Sequence, residues 1–536
     1  MPMMPVPIRE AWAIPPGEPS GDSPAVQPGE LETPPMDPNA RDDTESGASA
    51  SPETKEKGPL KPPFSLPHEI AFVAIICTSQ LLAQGGFTQV IGPLHIIGSS
   101  FGVTNPGPLS WFAASYSLTF GTFILLAGRL GDIYGHKRLF TLGFLWLGVW
   151  SLIAGISVYA KNEIFFDVCR AGQGVGSAML VPNALAILGR TYPPGRRKEM
   201  VFALFGATAP NGGLLGATFS SLLGQLAWWP WAFWCMAIAC CVCAVIGYFV
   251  IPTAPVQMKP ARGNQFDWAG SFTGIAALVL FNAAWNQGPV VGWSMPFVYI
   301  LLILGLLFFA AFFFIERKVA QPLVPLEALS GKVGGVLSCV ALGWASFGIW
   351  IFYLWQFWTE LRHQTPLNSA AQMSTVGPSG LAAAVTTGFL ISRLTTSYIM
   401  CISMTAFCVG NILLATMPVH QIYWKQTFIS LIITPWGMDM SFPAATILLS
   451  DHVSEEHQGI GASLVNTVVN YSIAIGLGIA GTVEVYINNG GKTPSDILKG
   501  YRGAWYSAIG LSGAGIIVSL YFALNETRKR RSRLEQ

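Results

Sequence analysis

The chain has 536 residues, 51% of them hydrophobic and only 11% charged, with 18 tryptophans and a net charge of +2. A soluble globular domain is typically about one quarter charged, so this composition excludes one and points to an integral membrane protein. The small net charge gives no reason to expect a nucleic-acid partner, and electrostatic arguments depend on where the charges lie.

Residues 1–66 are rich in Pro, Ser, Gly and Glu and hold no apolar run of the signal-peptide kind, which predicts a disordered cytosolic tail. A hydrocarbon core about 30 Å thick takes about 20 apolar residues of helix. Cut at its charged, Pro-rich and Gly-rich interruptions, the rest of the chain gives about fourteen spans. They lie near 68–92, 108–128, 138–159, 163–188, 199–223, 231–251, 268–288, 296–315, 334–358, 368–391, 398–416, 426–449, 460–487 and 503–524. Every second loop is basic: Arg129, Lys137 and Arg138; Arg190, Arg196, Arg197 and Lys198; Lys259 and Arg262; Arg317, Lys318 and Lys332. The positive-inside rule turns those loops to the cytosol, and the tail "RKRRSR" puts the C-terminus there too. The nine cysteines fall in apolar runs, as small buried thiols rather than a disulfide framework.

The spans carry a few polar side chains. Gln84 and Gln89 in the first, Tyr116 in the second, Asn282 in the seventh, and Asn466 and Asn470 in the thirteenth suit either a hydrated substrate cavity or interhelical hydrogen bonds. At the inner end of the second span, "GRLGDIYGHKR" places Gly128, Asp132, Gly135, Lys137 and Arg138 together. Asp132 there, close to Lys137 and Arg138, is expected to cap the start of a neighbouring helix or pair with its basic residues, and so to hold the two bundles together on one face. Arg170 in the fourth span is costly to insert, and Asp167, three residues earlier on the same face, is its nearest partner in sequence. That pair is either static or linked to proton or substrate movement. In the fifth span, Gly206, Gly212, Gly213 and Gly216 permit close backbone approach, while Pro210 removes a helix hydrogen bond.

The twelfth span holds Asp439, near the middle of "GMDMSFP". A carboxylate at that depth cannot reach either surface, so it must face water, meet a cation or carry a proton. Fixation by interhelical hydrogen bonds is the alternative to a proton-coupling role. An internal repeat also surfaces here. Gly437 precedes Pro443 by six residues, as Gly176 precedes Pro182 in the fourth span, and "GFLISR" from Gly388 echoes the loop from Gly128 with Ser392 opposite Asp132. An offset of eight helices predicts six-helix bundles over 67–253 and 334–525, a linker and two inserted helices over 254–333, and a basic tail over 526–536.

The motifs make a resemblance specific. "GRLGDIYGHKR" resembles the cytoplasmic loop signature of the major facilitator superfamily, "RAGQGVGSA" (Arg170–Ala178) its fourth-helix motif, and "GATAPNGGLLG" (Gly206–Gly216) its antiporter-associated fifth-helix motif. Fourteen spans make the chain similar to the fungal drug:proton antiporters, and most of all to the aminotriazole-resistance and boron-export type. The resemblance implies export of a drug, toxin or secondary metabolite by proton antiport through alternating access, and the intramembrane charges Asp439, Arg170 and Asp167 are the candidates for coupling. Gating would fall to Gly128, Asp132, Gly135, Lys137, Arg138, Gly206, Pro210 and Gly213. Gln84 and Gln89 stand where relatives often carry Asp and Asn, Ile133 stands for an Arg, and Pro230 for another.

Enzyme chemistry is not expected: the histidines are scattered, and "HVSEEH" (His452–His457) lacks a second ligand cluster. "YINNGGKT" has Tyr486 where a Walker loop needs glycine, which excludes ATP hydrolysis. The all-α membrane protein is expected to act as a monomer in lipid without cofactor or metal, in the plasma membrane or the vacuolar one. Its partners are a small molecule and protons, and a proton-coupled uptake permease or boron exporter on the same fold is the alternative.

Overall fold

The computed structural model describes residues 65–193, 195–252, 267–319, 331–391, 393–452 and 458–534. The expected tail, most of both linkers, Ser392 and the segment "VSEEH" lie outside them. The long helices, in chain order, are α1 (Leu66–Thr88), α2 (Pro106–Tyr134), α3 (His136–Ile156), α4 (Glu163–Thr191), α5 (Arg196–Leu226), α6 (Pro230–Val250), α7 (Trp268–Val291), α8 (Pro296–Glu316), α9 (Lys332–Gln356), α10 (Val376–Ile391), α11 (Thr396–Ala415), α12 (Gln426–His452), α13 (Gln458–Ile487) and α14 (Pro494–Leu534). Among the described residues thirteen segments are long and apolar enough to cross a membrane. The remaining helix, α12, is as long as its neighbours and is interrupted by Asp439, Pro435 and Pro443. It packs on α10, α11 and α13 like any other span.

Proline sets several starts: α2, α6, α8 and the short helix Pro366–Met373 each carry it in the first turn, where its missing N–H costs nothing. The tenth span, one continuous run by hydropathy, is broken into Pro366–Met373 and α10. The last helix continues through the basic residues to Leu534, past the expected end at 524.

The helices pack as two equivalent sets. In the first half α1 packs on α5, α2 on α4, α3 on α4, and α3 on α6; in the second α9 packs on α13, α10 on α12, α11 on α12, and α11 on α14. Adding eight to each label in the first set gives the second. The two seams between the halves, α2 with α13 and α5 with the Pro366–Ile391 segment, also exchange under this operation. That is the internal repeat expected from the Gly–Pro spacings. Gly121 makes the first seam possible, because a Cβ there would lie 2.7 Å from the Tyr471 nitrogen of α13. The inserted helix α7 lies along the same seam, against α2 and α13, with α8 packed on α7.

The charge rule gives the expected sidedness, and a direct result follows from it. Of two single cysteines, one replacing Thr104 in the α1–α2 connection will react with an impermeant maleimide from outside intact cells, and one replacing Glu199 will not. Equal labelling would overturn this orientation.

Candidate functional site

The loop between α2 and α3 is a single residue, Gly135, at φ +97°, a backbone state that glycine adopts without strain. Gly131, one turn earlier, is confined by Asn183 of α4: a Cβ there would collide with Asn183 Oδ1. His136 Nδ1 meets that same oxygen at 2.8 Å, and the Asn183 amide donates to the carbonyls of Met179 and Ala127. Asp132 accepts from Arg190 Nη2 at 3.0 Å and lies 3.2 Å from His136 Nε2. Both partners belong to the same half. The expected pairing with Lys137 and Arg138, and the expected bridge between bundles, are therefore corrected. Lys137 instead stands 5.2 Å from the Tyr248 ring of α6, and Arg138 is exposed. Gly128, by contrast, does face the seam, within ordinary contact of Ser463 on α13.

Arg170 is fully buried in the first half. Its Nε donates to the Phe112 carbonyl at 2.9 Å, Nη2 to that of Phe87 at 3.3 Å, and Nη1 to Gln173 Oε1 at 2.6 Å. Gln173 passes the chain on to Ser151 Oγ at 2.7 Å. The guanidinium also lies over the Tyr116 ring at 4.7 Å, and the Tyr116 hydroxyl reaches Ala83 O and Ser177 Oγ, each at 2.5 Å. One arginine thus ties α1, α2, α3 and α4 together. Asp167 is not its ion-pair partner: Gln173 takes that place, and Asp167 Oδ1 is buried without a hydrogen bond among the described residues.

On α5 the tight glycines are Gly212 and Gly216, where a Cβ would collide with the Leu81 and Gly85 carbonyls of α1. Gly206 has open space around it, and Gly213 has only Thr88 Cγ2 at 3.5 Å from a built Cβ. Of the four glycines expected to permit close approach, Gly212 and Gly216 do so, while Gly206 and Gly213 are not explained by packing. Pro210, inside α5, leaves the Gly206 carbonyl without its helical donor.

Asp439 lies at the second seam. It is half-buried, and its Oδ2 is sealed from solvent without a hydrogen-bond partner among the described residues. A Cβ on Gly380 of α10 would fall 2.7 Å from that oxygen and 3.9 Å from Pro210 Cβ, so α12, α10 and α5 of the opposite half converge there. The Asp439 carbonyl accepts from Thr387 at 3.3 Å. Gly377, one turn from Gly380, looks onto Leu214 and Asn211 of α5. Arg170 and Asp439 are not brought together: the acceptors that Arg170 reaches, Phe87, Phe112 and Gln173, are all in the first half.

The expected cavity residues scatter. Gln84 is half-buried and Gln89 is buried with an Oε1 that finds no donor among the described residues. Asn282 accepts from Asn286, which also donates to the Ala474 carbonyl, so this pair locks α7 onto α13 rather than lining a cavity. Asn470 donates to the Asn466 carbonyl, both buried beside the α2 seam. Gly380 and Asn183 carry no signal in the sequence, and Gln173 lies within the fourth-helix motif without being distinguished there; glycine and uncharged amides in apolar runs do not disclose what they touch.

The family model for the Major Facilitator Superfamily matches residues 75–354 and 335–536. A Saccharomyces cerevisiae protein named "Low affinity ammonium transporter" is 62% identical over 88% of this chain and 92% of its own. "Efflux pump terJ" of Aspergillus terreus is 48% identical over 88% and 91%, and the Saccharomyces cerevisiae "Aminotriazole resistance protein" 39% over 87% and 86%. A solved peptide transporter, POT in complex with sulfate, shares the fold with a TM-score of 0.60 at 16% identity, covering 87% of this chain and 96% of that one. Motifs, repeated bundles and relatives agree: the chain belongs to the Major Facilitator Superfamily.

Proposed function

We propose that this protein exports a small organic solute across the plasma membrane in exchange for protons, by alternating access, with Asp439 as the proton carrier. One observation carries the proposal: a mid-span carboxylate with an unpartnered, sealed oxygen stands where α12 and α10 meet α5 of the other half. A group at such a seam changes its exposure when the halves rock, which is what coupling to a proton gradient needs. The carboxylate, with no cationic side chain hydrogen-bonded to that oxygen among the described residues, suits one positive charge at a time. Arg170 and Asp167 serve the packing of the first half, and the protein works as a monomer without a cofactor. The relatives named as an efflux pump and an aminotriazole resistance protein support export of an organic compound.

A second reading takes ammonium or a small amine as the cargo, and the relative named as an ammonium transporter favours it. Inside-out membrane vesicles from overproducing cells decide between them, with labelled aminotriazole and labelled methylammonium as probes. Accumulation of aminotriazole that collapses with a protonophore supports antiport. Methylammonium movement that is indifferent to the protonophore, with no aminotriazole movement, replaces export by facilitated ammonium passage.

A further inference from the structure

A line of polar contacts at the outer end of the molecule joins the halves and belongs to no motif. His95 is on the short helix Leu94–Phe101 between α1 and α2. Its Nδ1 lies 3.4 Å from Glu360 Oε1, and its Nε2 faces Gln356 Oε1. Gln356 ends α9, and Glu360 lies in the π-helical turn Phe357–Leu361 that follows. His95 and Glu360 are 30% and 27% exposed, so this contact is open to water from the outer side. Both imidazole nitrogens face oxygens of the opposite half. A neutral ring has one N–H to give, whereas an imidazolium has two and satisfies both acceptors.

Behind Glu360 the groups are neutral donors and a second acid. Tyr501 of α14 donates to Glu360 Oε2 at 2.5 Å. The Tyr501 and Tyr353 rings meet edge-on at 5.5 Å, and Tyr353 donates to Glu484 Oε2 of α13 at 2.8 Å. Glu484, Tyr353 and Tyr501 are all buried. Of the nearby cations, Arg362 is engaged with the carbonyls of Val419 and Pro418 and with the Phe357 ring, and Arg502, beside Tyr501, bonds to neither carboxylate among the described contacts. Among the described contacts His95 is the basic side chain that faces Glu360, and it is cationic only when both ring nitrogens carry a proton. A further outer tie between the halves, Leu367 N–H to Gln225 Oε1 at 3.2 Å, carries no charge.

We propose that His95, Glu360 and Gln356 form a second proton-binding site, on the outer side, in which an external proton taken up by His95 latches the two halves shut. Histidine changes its charge between about pH 5 and pH 8, the range of external conditions a cell meets. With that proton the imidazolium holds Glu360 and Gln356 together; without it the ring has one N–H for two acceptors, and the outer side loosens. That sign suits an exporter, since the proton arriving from outside closes the outer face after substrate has left. The use of the latch rests on the antiport reading; the latch itself does not.

The test is hydrogen–deuterium exchange of the full chain in lipid nanodiscs at about pH 6 and about pH 8, with times scaled for the intrinsic rate. Peptides covering 94–105 and 356–367 should lose protection at the higher pH by about fivefold or more, the range of a switching contact. His95→Gln should show the loosened exchange at both pH values, and His95→Lys, with a permanent charge, the protected exchange at both. The exchange readout needs neither substrate nor a proton gradient, so failure of the antiport reading leaves its outcome intact and is distinguishable from failure of the latch. Unchanged protection across pH in the wild type, or a full pH response in His95→Gln, overturns the proposal.

Discussion

Asp439→Asn will abolish gradient-driven accumulation of substrate while leaving substrate exchange across an energised or de-energised membrane near its wild-type rate. The size of the loss follows from the driving force. With one proton exchanged per solute, each unit of pH gradient supplies about 1.4 kcal/mol and sustains about a tenfold concentration ratio. Asparagine keeps the shape of the side chain and an acceptor oxygen toward Gly380, but it has no proton to carry, so the ratio should fall to about one. Exchange needs only the rocking of the halves, which the amide permits, because the backbone contact from Thr387 and the approach to Gly380 remain. Vesicles loaded with substrate separate the two readouts in one preparation. If the Asp439→Asn variant still builds a ratio, with unchanged pH dependence, Asp439 is removed from coupling.

The fold was legible because membrane physics writes it large: span length, basic loops and the Gly–Pro spacings alone led to two repeated bundles with an inserted pair. Asp439 was legible for a related reason, since an acid in the middle of "GMDMSFP" has few ways to exist in lipid. What it touches was not. Gly380 is one small residue among many in "VGPSGLAAAV", and its distance from the Asp439 carboxylate is a property of helix crossing, which no single sequence displays. Asp132 shows the opposite error: the cluster of Lys137 and Arg138 after it suggested adjacent partners, yet helical geometry turns Arg190, fifty-eight positions later, toward it. Charge proximity in sequence is a poor guide once a helix separates neighbours around its circumference. Glu484 and Glu360 lie within a turn or two of a helix end, where an acid carries no signal of burial. The structure instead buries Glu484 under Tyr353.

Arg170→Lys separates a charge from an anchor, and the geometry predicts that the anchor is what matters. The guanidinium reaches three acceptors on three sides, the carbonyls of Phe87 and Phe112 and the amide of Gln173, while its face covers Tyr116. Lysine keeps the positive charge but concentrates its donors at one atom on a flexible stem, so it cannot span the same three acceptors. At least one buried carbonyl would then be left unpaired, and the expected loss is about 1.5–3 kcal/mol of stability, the scale for a hydrogen bond to a charged group. The protein should therefore unfold at markedly lower temperature in detergent, measured as monodisperse fraction after heating. The fraction that survives should retain the pH dependence of transport. If Arg170 were instead the mobile partner of a proton carrier, lysine would preserve the fold and shift that pH profile. A stable Arg170→Lys variant with a displaced profile would move Arg170 from packing into coupling, and it would require the two halves to bring it toward Asp439 in another state.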